Sequence, residues 1–220
     1  MNTLAIEGAH SVADGVVRHR LAPLPYAVDA LEPWIDARTM TLHHDVHHLG
    51  YVDALNAALA RLPKLQEASA LWLLCHLREI PHEKRATVHH AAGGHVNHSL
   101  FWQTMTPDST TEPLAPLRDA LRHRFGSVAA FKDEFEAAGS RHFGAGWVWL
   151  VAPQAKGGQL EIMTTAGHDH PAMKGFVPVL LNDLWEHAYY LRYENRRAEY
   201  LKAWWAVVDW NEASRRFEAR

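Results

Sequence analysis

The chain has 220 residues, 48% of them hydrophobic, and a formal net charge of −3. That supports a buried core in one domain or two small ones and lacks the basic excess of a nucleic-acid binder. No apolar run reaches the ~20 residues needed to span a bilayer, which excludes a helical membrane protein.

The first twenty residues include Glu7 and Asp14 and have no continuous apolar core. They read as a flexible extension (1–20), not as a secretory signal. The single cysteine, Cys75, sits among Trp72, Leu73, Leu74 and Leu77, so a small buried hydrophobe is expected there. One cysteine makes no internal disulfide, which fits the reducing cytoplasm.

Ala22-Pro23-Leu24-Pro25-Tyr26 is an extended lead-in, because proline fixes its own φ and restrains its predecessor. Asp29 with Glu32 has the spacing of a capping box, and a long helix bent near Pro33 is expected after it. Leu42, Val46, Leu49, Val52, Leu55 and Leu59 recur at three and four, one helix face. A second helix is expected over Glu67–Ile80, stopped by Pro81, and a third over Lys84–Met105. These form an antiparallel helical unit over 21–106.

Residues 107–116 belong to a stretch rich in Thr, Ser, Pro and Asp and form a linker. Leu117–Phe125 and Val128–Ala138 follow as helices, with Ser127 as N-cap. Gly146–Val151, Leu160–Thr165 and Phe176–Leu181 are strand-like, and Arg197–Val208 returns to helix. The segment 117–220 is thus α+β around a small sheet.

The chain carries 17 histidines and 9 tryptophans. Histidine is the commonest protein metal ligand, so spacing must separate ligands from surface residues. In Leu42-His43-His44-Asp45-Val46-His47-His48-Leu49-Gly50-Tyr51, the residues His43, His47 and Tyr51 share one helical face. Spacing alone leaves metal binding and a solvated histidine face equally open. In Gly93-Gly94-His95-Val96-Asn97-His98 the glycines cost ~1 kcal/mol each against alanine in a helix and mark a close approach. Gly94 is expected to leave room beside His98. In Asp183-Leu184-Trp185-Glu186-His187-Ala188-Tyr189-Tyr190, a charged Asp183 among apolar residues is costly unless paired or metal-bound. Three imidazoles and one carboxylate suit manganese or iron, whereas thiolates would favour zinc, copper(I) or clusters.

These motifs resemble the iron/manganese superoxide dismutases. Leu-Pro-Tyr at 24–26, Ala-Leu-Glu-Pro at 30–33, the doubled histidines at 42–48 and Gly-Gly-His-x-Asn-His-Ser-Leu-Phe-Trp at 93–102 match in order. So do Gly-x-Gly-Trp-x-Trp-Leu at 144–150, Asp-x-Trp-Glu-His-Ala-Tyr-Tyr at 183–190 and Asn-Arg-Arg-x-x-Tyr-Leu at 195–201. The resemblance implies a helical-hairpin domain and an α+β domain with a three-stranded antiparallel sheet. It implies one manganese or iron ion held by His43, His98, Asp183 and His187, with superoxide as substrate and His47 and Tyr51 as its gate. Trp185 walls the site. Glu186 and Tyr190 reach a partner subunit, so a homodimer or homotetramer is implied. Manganese members place a solvent-bonding Gln where this chain has His168, and many iron members place it where this chain has Gly94. Trp34 stands where many relatives carry His, and Arg197 is a candidate for steering the anion. A hydrogen-bond chain through His168, Tyr51 and His47 is the expected proton path. The competing reading is a histidine-rich metal-storage or metal-delivery protein. A di-iron bundle needs paired Glu-x-x-His helices, and the match at Glu79–His82 is interrupted by Pro81.

Overall fold

The computed structural model describes residues 10–13, 16–155 and 158–220. Of the expected extension, residues 1–9, 14 and 15 lie outside the described residues. Strands β1 (His10–Ala13) and β2 (Val16–His19) pair antiparallel in a hairpin, with His10 opposite His19. Asn56 fastens its end: the amide oxygen accepts from His19 N and the amide nitrogen donates to His19 O, both at 2.9 Å.

No regular helix starts at Asp29. Turns run to Asp36, which opens α1 (Ala37–Thr41) by accepting from Thr39 N at 2.8 Å. Pro33 lacks the amide a helix interior needs, so the helix begins beyond it. Glu32 accepts instead from Ala37 N at 3.0 Å.

Leu42–His48 then winds as a π turn before α2 (Leu49–Leu59). A π turn holds more residues per turn than an α-helix, so faces counted at 3.6 slip across it. The expected single stripe therefore splits. Val52, Leu55 and Leu59 are buried, but Val46 is 56% and Leu49 38% exposed. His43, His44 and His48 take the inward places.

Helix α3 (Ala70–Cys75) is shorter than the expected Glu67–Ile80. Ser69 caps it, accepting from Trp72 N at 3.2 Å, and the chain leaves helical geometry at His76. Cys75 is exposed, because the short helix turns Leu73 and Leu74 inward instead. Desolvation still raises its thiol pKa, so it is no activated nucleophile.

Helix α4 (His82–Gln103) is buried at every position from Ala91 to Trp102 except Ser99. It has no solvent face there, because both halves of the protein pack around it. One apolar cluster joins Leu55, Leu59, Leu73, Leu74, Val88 and Ala92 across α2, α3 and α4. The larger one surrounds the sheet and takes in Leu100, Phe101 and Trp102 from the end of α4.

The segment after α4 is irregular but pinned. Thr106 N donates to Val207 O and Ser109 Oγ to Val208 O, both at 2.7 Å. Helices α5 (Ala115–Phe125) and α6 (Val128–Arg141) follow, and Ser127 caps α6 by accepting from Ala130 N at 2.9 Å.

Strands β3 (Gly146–Pro153), β4 (Glu161–Ala166) and β5 (Phe176–Asp183) form an antiparallel sheet of order β4-β3-β5. The central β3 is buried from Gly146 through Ala152, which explains its unbroken apolar run. Its Trp147 lies opposite Thr165 on one side and Asp183 on the other. Helices α7 (Tyr190–Tyr193), α8 (Arg197–Trp204) and α9 (Trp210–Glu218) close the fold. The expected helix to Val208 stops at Trp204. The unanticipated α9 is capped by Asp209, which accepts from Glu212 N at 2.9 Å. Among the described residues, no helix is long and apolar enough to cross a membrane.

A Cβ at Gly93 would strike the His168 carbonyl, which is backbone and cannot swing aside. Gly93→Ala therefore lowers stability by about 1–3 kcal/mol despite alanine's better helix propensity. Denaturant unfolding measures it, and an unchanged midpoint contradicts this packing.

Candidate metal centre

Four side chains converge where the two apolar clusters meet. The π turn brings His43, the buried half of α4 brings His98, and the last residue of β5 is Asp183. The 3-10 turn Glu186–Ala188 brings His187. One donor atom from each lies within 4.8 Å of all the others. Among the described residues, no further cluster of three or more His, Cys, Asp or Glu has this geometry.

The chemistry of the cluster follows from tautomers. His98 Nδ1 donates to the Gly94 carbonyl at 2.6 Å, so Nε2 of the neutral ring carries a lone pair. Burial, then the neighbouring His43, keeps His98 well below its ordinary value and neutral. Its Nε2 lies 3.6 Å from Asp183 Oδ2, so two lone pairs face each other in a space with no exposure. His43 Nε2 at 3.1 Å and His187 Nε2 at 3.3 Å crowd the same oxygen. The His43 contact is misaligned for a hydrogen bond, and its Nε2 has no such partner among the described residues. Oδ1 is already committed, accepting from Trp185 N at 2.8 Å.

Burial lowers His43 to about 4 despite the pull of Asp183. Burial alone would raise Asp183, but the charge and hydrogen bond of His187, then the close approach of His43, hold it below the usual carboxylate range. His187 Nε2 hydrogen-bonds Asp183 Oδ2 at 3.3 Å, but the Nε2 lone pair of neutral His98 has no such partner among the described residues and faces the same ionised oxygen, a repulsion that a cation among these atoms relieves. Three nitrogen donors and one oxygen donor fit manganese or iron.

His168 lies beside the cluster. Its ring stacks on Trp185 with centroids 4.6 Å apart, and its Nδ1 accepts from Trp147 Nε1 at 3.2 Å. The neutral ring therefore holds its proton on Nε2, which is buried and has no hydrogen-bond partner among the described residues. Burial lowers this histidine to about 3, so it is a neutral donor across the physiological range. The room expected at Gly94 is filled by the Tyr51 ring, and it is Gly93 that lets the His168 backbone approach. Trp185 is fixed by donation from Nε1 to Gly167 O at 3.2 Å.

Tyr51 packs on His98 and His168, with centroids at 5.3 and 4.6 Å. Burial, then the charge of Asp183, pushes its phenol up to about 12. His47 is exposed and stacks on His187 at 4.4 Å. Burial and His187 lower its pKa. Among the described residues, Tyr51, His47 and His168 are not joined by direct hydrogen bonds, so the expected continuous protein path is absent.

Glu186 and Tyr190 do not join the cluster; both are exposed. Glu186, His187 and Arg197 line a cavity of about 360 Å³ beside it. Arg197 donates to His142 O at 2.7 Å, Tyr189 Oη at 3.0 Å and Gly144 O at 3.1 Å, with no carboxylate partner among the described residues. Trp34 is 42% exposed, and its carbonyl accepts from Tyr193 Oη at 2.7 Å.

The doubled histidines divide their work. His44 bonds the Ala22 carbonyl at 2.9 Å and fastens the lead-in. His48 Nδ1 accepts from Trp102 Nε1 at 3.0 Å, and its Nε2 lies 2.8 Å from His95 Nδ1, a buried wall behind His98. Sequence reasoning missed this wall and also His90, which lies against both Tyr51 and His168. The signal for His90 was the spacing 90, 94, 98 on one face of α4.

A buried pocket of three imidazoles and one carboxylate, set between helices and a small α+β layer, defines a mononuclear metalloprotein. The alpha-hairpin domain of the iron/manganese superoxide dismutases matches residues 18–106, and their C-terminal domain matches residues 113–216. The chain belongs to the iron/manganese superoxide dismutase family. It is 50% identical over 200 residues to a manganese superoxide dismutase of Leptolyngbya boryana, covering 91% of this chain and 83% of that one. It is 48% identical over 194 residues to the manganese enzyme of Thermus aquaticus, covering 88% and 94%. With the manganese enzyme of Listeria monocytogenes the identity is 44% over 201 residues, covering 91% and 98%.

Proposed function

We infer that the protein disproportionates superoxide, 2 O2•⁻ + 2 H⁺ → O2 + H2O2, at one manganese or iron ion held by His43, His98, Asp183 and His187. The observation that carries this reading is the buried pair of facing lone pairs on His98 Nε2 and Asp183 Oδ2. When bound, the metal supplies chemistry by alternating between its +2 and +3 states. Three neutral imidazoles and one carboxylate give a ligand charge of one negative unit, which suits both states. Manganese is favoured, since relatives are named for it and Gly94 matches manganese members.

The remaining residues govern water and protons. Trp147 and Trp185 keep bulk water from the pocket and orient His168, whose Nε2–H is the buried donor there. Tyr51 keeps its hydroxyl proton because its pKa is pushed up to about 12. His47 and Tyr51 form the gate, and the guanidinium of Arg197, which has no carboxylate partner among the described residues, attracts the anion. The metal-storage reading predicts several tight ions per chain, whereas one cluster of this geometry supports a single site. The expectation is one ion per chain, with Asp183→Ala losing both the ion and dismutation. Elemental analysis with a superoxide assay measures this, and a variant keeping stoichiometric metal and full activity overturns the ligand assignment.

The chain divides into an extension (1–20), a helical unit (21–106), a linker (107–116) and an α+β unit (117–220). The separate family-domain matches to residues 18–106 and 113–216 support this division, while Leu31, Ile35, Met40 and Leu100 of the helical unit pack in the cluster around the sheet. The enzyme works in the cytoplasm as a homodimer or homotetramer, with Glu186 and Tyr190 at the interface. Exposed apolar side chains support an interface, Phe143 at 99% and Leu191 at 58%. Glu186 crosses to a ligand histidine of the partner and orients it. Glu186→Ala is expected to weaken the dimer and lower activity together, as read by sedimentation and assay across a dilution series. A wild-type protein that is monomeric and fully active when dilute eliminates this interface.

A further inference from the structure

The gate is flanked by a titratable ring that the mechanism above does not use. His90 is exposed on α4, one and two turns before Gly94 and His98. Its ring centroid lies 5.4 Å from Tyr51 at an interplanar angle of 72° and 5.0 Å from His168 at 54°. Tyr51 comes from α2, and His168 from the connection after β4. His90 therefore touches both proton-bearing side chains of the site from its solvent side. It contacts no member of the four-residue cluster in the ring contacts of the structure.

The neighbours are few. Tyr51 and His168 face His90 from the elements packed against it. On its own helix the neighbour is His89, whose Nε2 lies 2.9 Å from Asp169 Oδ1. That pair ties α4 to the residue following His168 and so fixes the spacing between His90 and His168.

Resting on the dismutase reading, we propose that His90 is the proton-entry residue of this site. It exchanges protons between bulk solvent and the Tyr51–His168 pair through a bridging water. No direct hydrogen bond joins His90 to Tyr51 or His168 among the described residues, so transfer needs a water between their polar atoms. In the half-reaction that forms peroxide, superoxide takes one electron from the divalent metal and two protons, leaving as H2O2. The imidazolium of His90 gives one proton to the bridging water, which passes a proton inward. His90 becomes neutral imidazole and regains its proton from solvent. It acts through Tyr51 and His168 and does not touch substrate, so it is a positioning residue for proton delivery.

The sign of the pH dependence follows. Partial burial, then the His89 charge, lowers the His90 pKa from 6.5. Its donor form is populated below that lowered value and is lost as pH rises through it. Wild-type turnover thus falls across this interval, and a non-titrating side chain removes the fall.

The test compares manganese-loaded wild type, His90→Asn and His90→Gln under saturating superoxide across pH, with and without added imidazole. Because His90 is exposed, both variants are expected to fold and bind metal as wild type does. Turnover in the variants should drop by roughly tenfold at the acid end, less than for a directly positioned acid because solvent delivers protons slowly. kcat/KM should change little, and added imidazole should restore turnover in the variants but not in wild type. In the metal-free protein, ring NMR should show His90 titrating below 6.5, at the midpoint of the wild-type fall. Equal pH profiles in wild type and variants overturn the proposal. So does a loss that imidazole does not relieve, which assigns His90 to packing against Tyr51. A loss confined to kcat/KM and weakened by salt makes it an anion guide and also overturns proton entry. An inactive metal-loaded wild type would instead refute the dismutase reading.

Discussion

Asp183 has no solvent exposure, yet the groups around it keep it ionised, and three imidazole nitrogens point at one of its oxygens. Much of the surrounding structure fixes the partners of that carboxylate. An unpaired buried charge costs several kcal/mol, so the fold has to hold the compensating groups in place. The Trp185 amide binds the other oxygen, and the Gly94 carbonyl fixes which nitrogen of His98 is free. The sheet register sets Asp183 beside Trp147, whose indole in turn fixes His168. A cation among these donors satisfies all of them at once, whereas among the described residues only His187 hydrogen-bonds that oxygen and Nε2 of His43 and His98 have no partner.

This arrangement needs two places where backbones and rings approach closely. Gly93 admits the His168 backbone and Gly94 admits the Tyr51 ring, so one glycine pair positions both proton-bearing groups. The consequence is a site whose donors are neutral and protonated near neutral pH. His168 is held down by burial and Tyr51 is pushed up by it. Burial thus favours the uncharged, donating form of both rings, which suits delivery of protons to a reduced oxygen species.

Much of this was legible in the sequence, for identifiable reasons. Ser127, the three strands and the glycine pair are local signals, and the structure bears them out through a cap bond, a ladder and two close approaches. The stripe through Val46 and Leu49 misled because a π turn changes the residues per turn, which no count at 3.6 reveals. The burial expected of Cys75 failed because α3 is one short segment, and its apolar neighbours took the inward positions. Helix α9 lies beyond the apolar run that ends at Val208, and its local signal is the cap pair Asp209 and Glu212. The buried wall of His48, His95 and Trp102 is a tertiary pairing of two helices, which neither segment shows alone.

The most direct measurement is anomalous scattering from crystals of the metal-loaded protein, at the manganese and iron absorption edges. The account predicts one peak per chain, at bonding distance from Nε2 of His43, His98 and His187 and from Asp183 Oδ2. A peak elsewhere, or several peaks spread over the other histidines with this pocket empty, would contradict it.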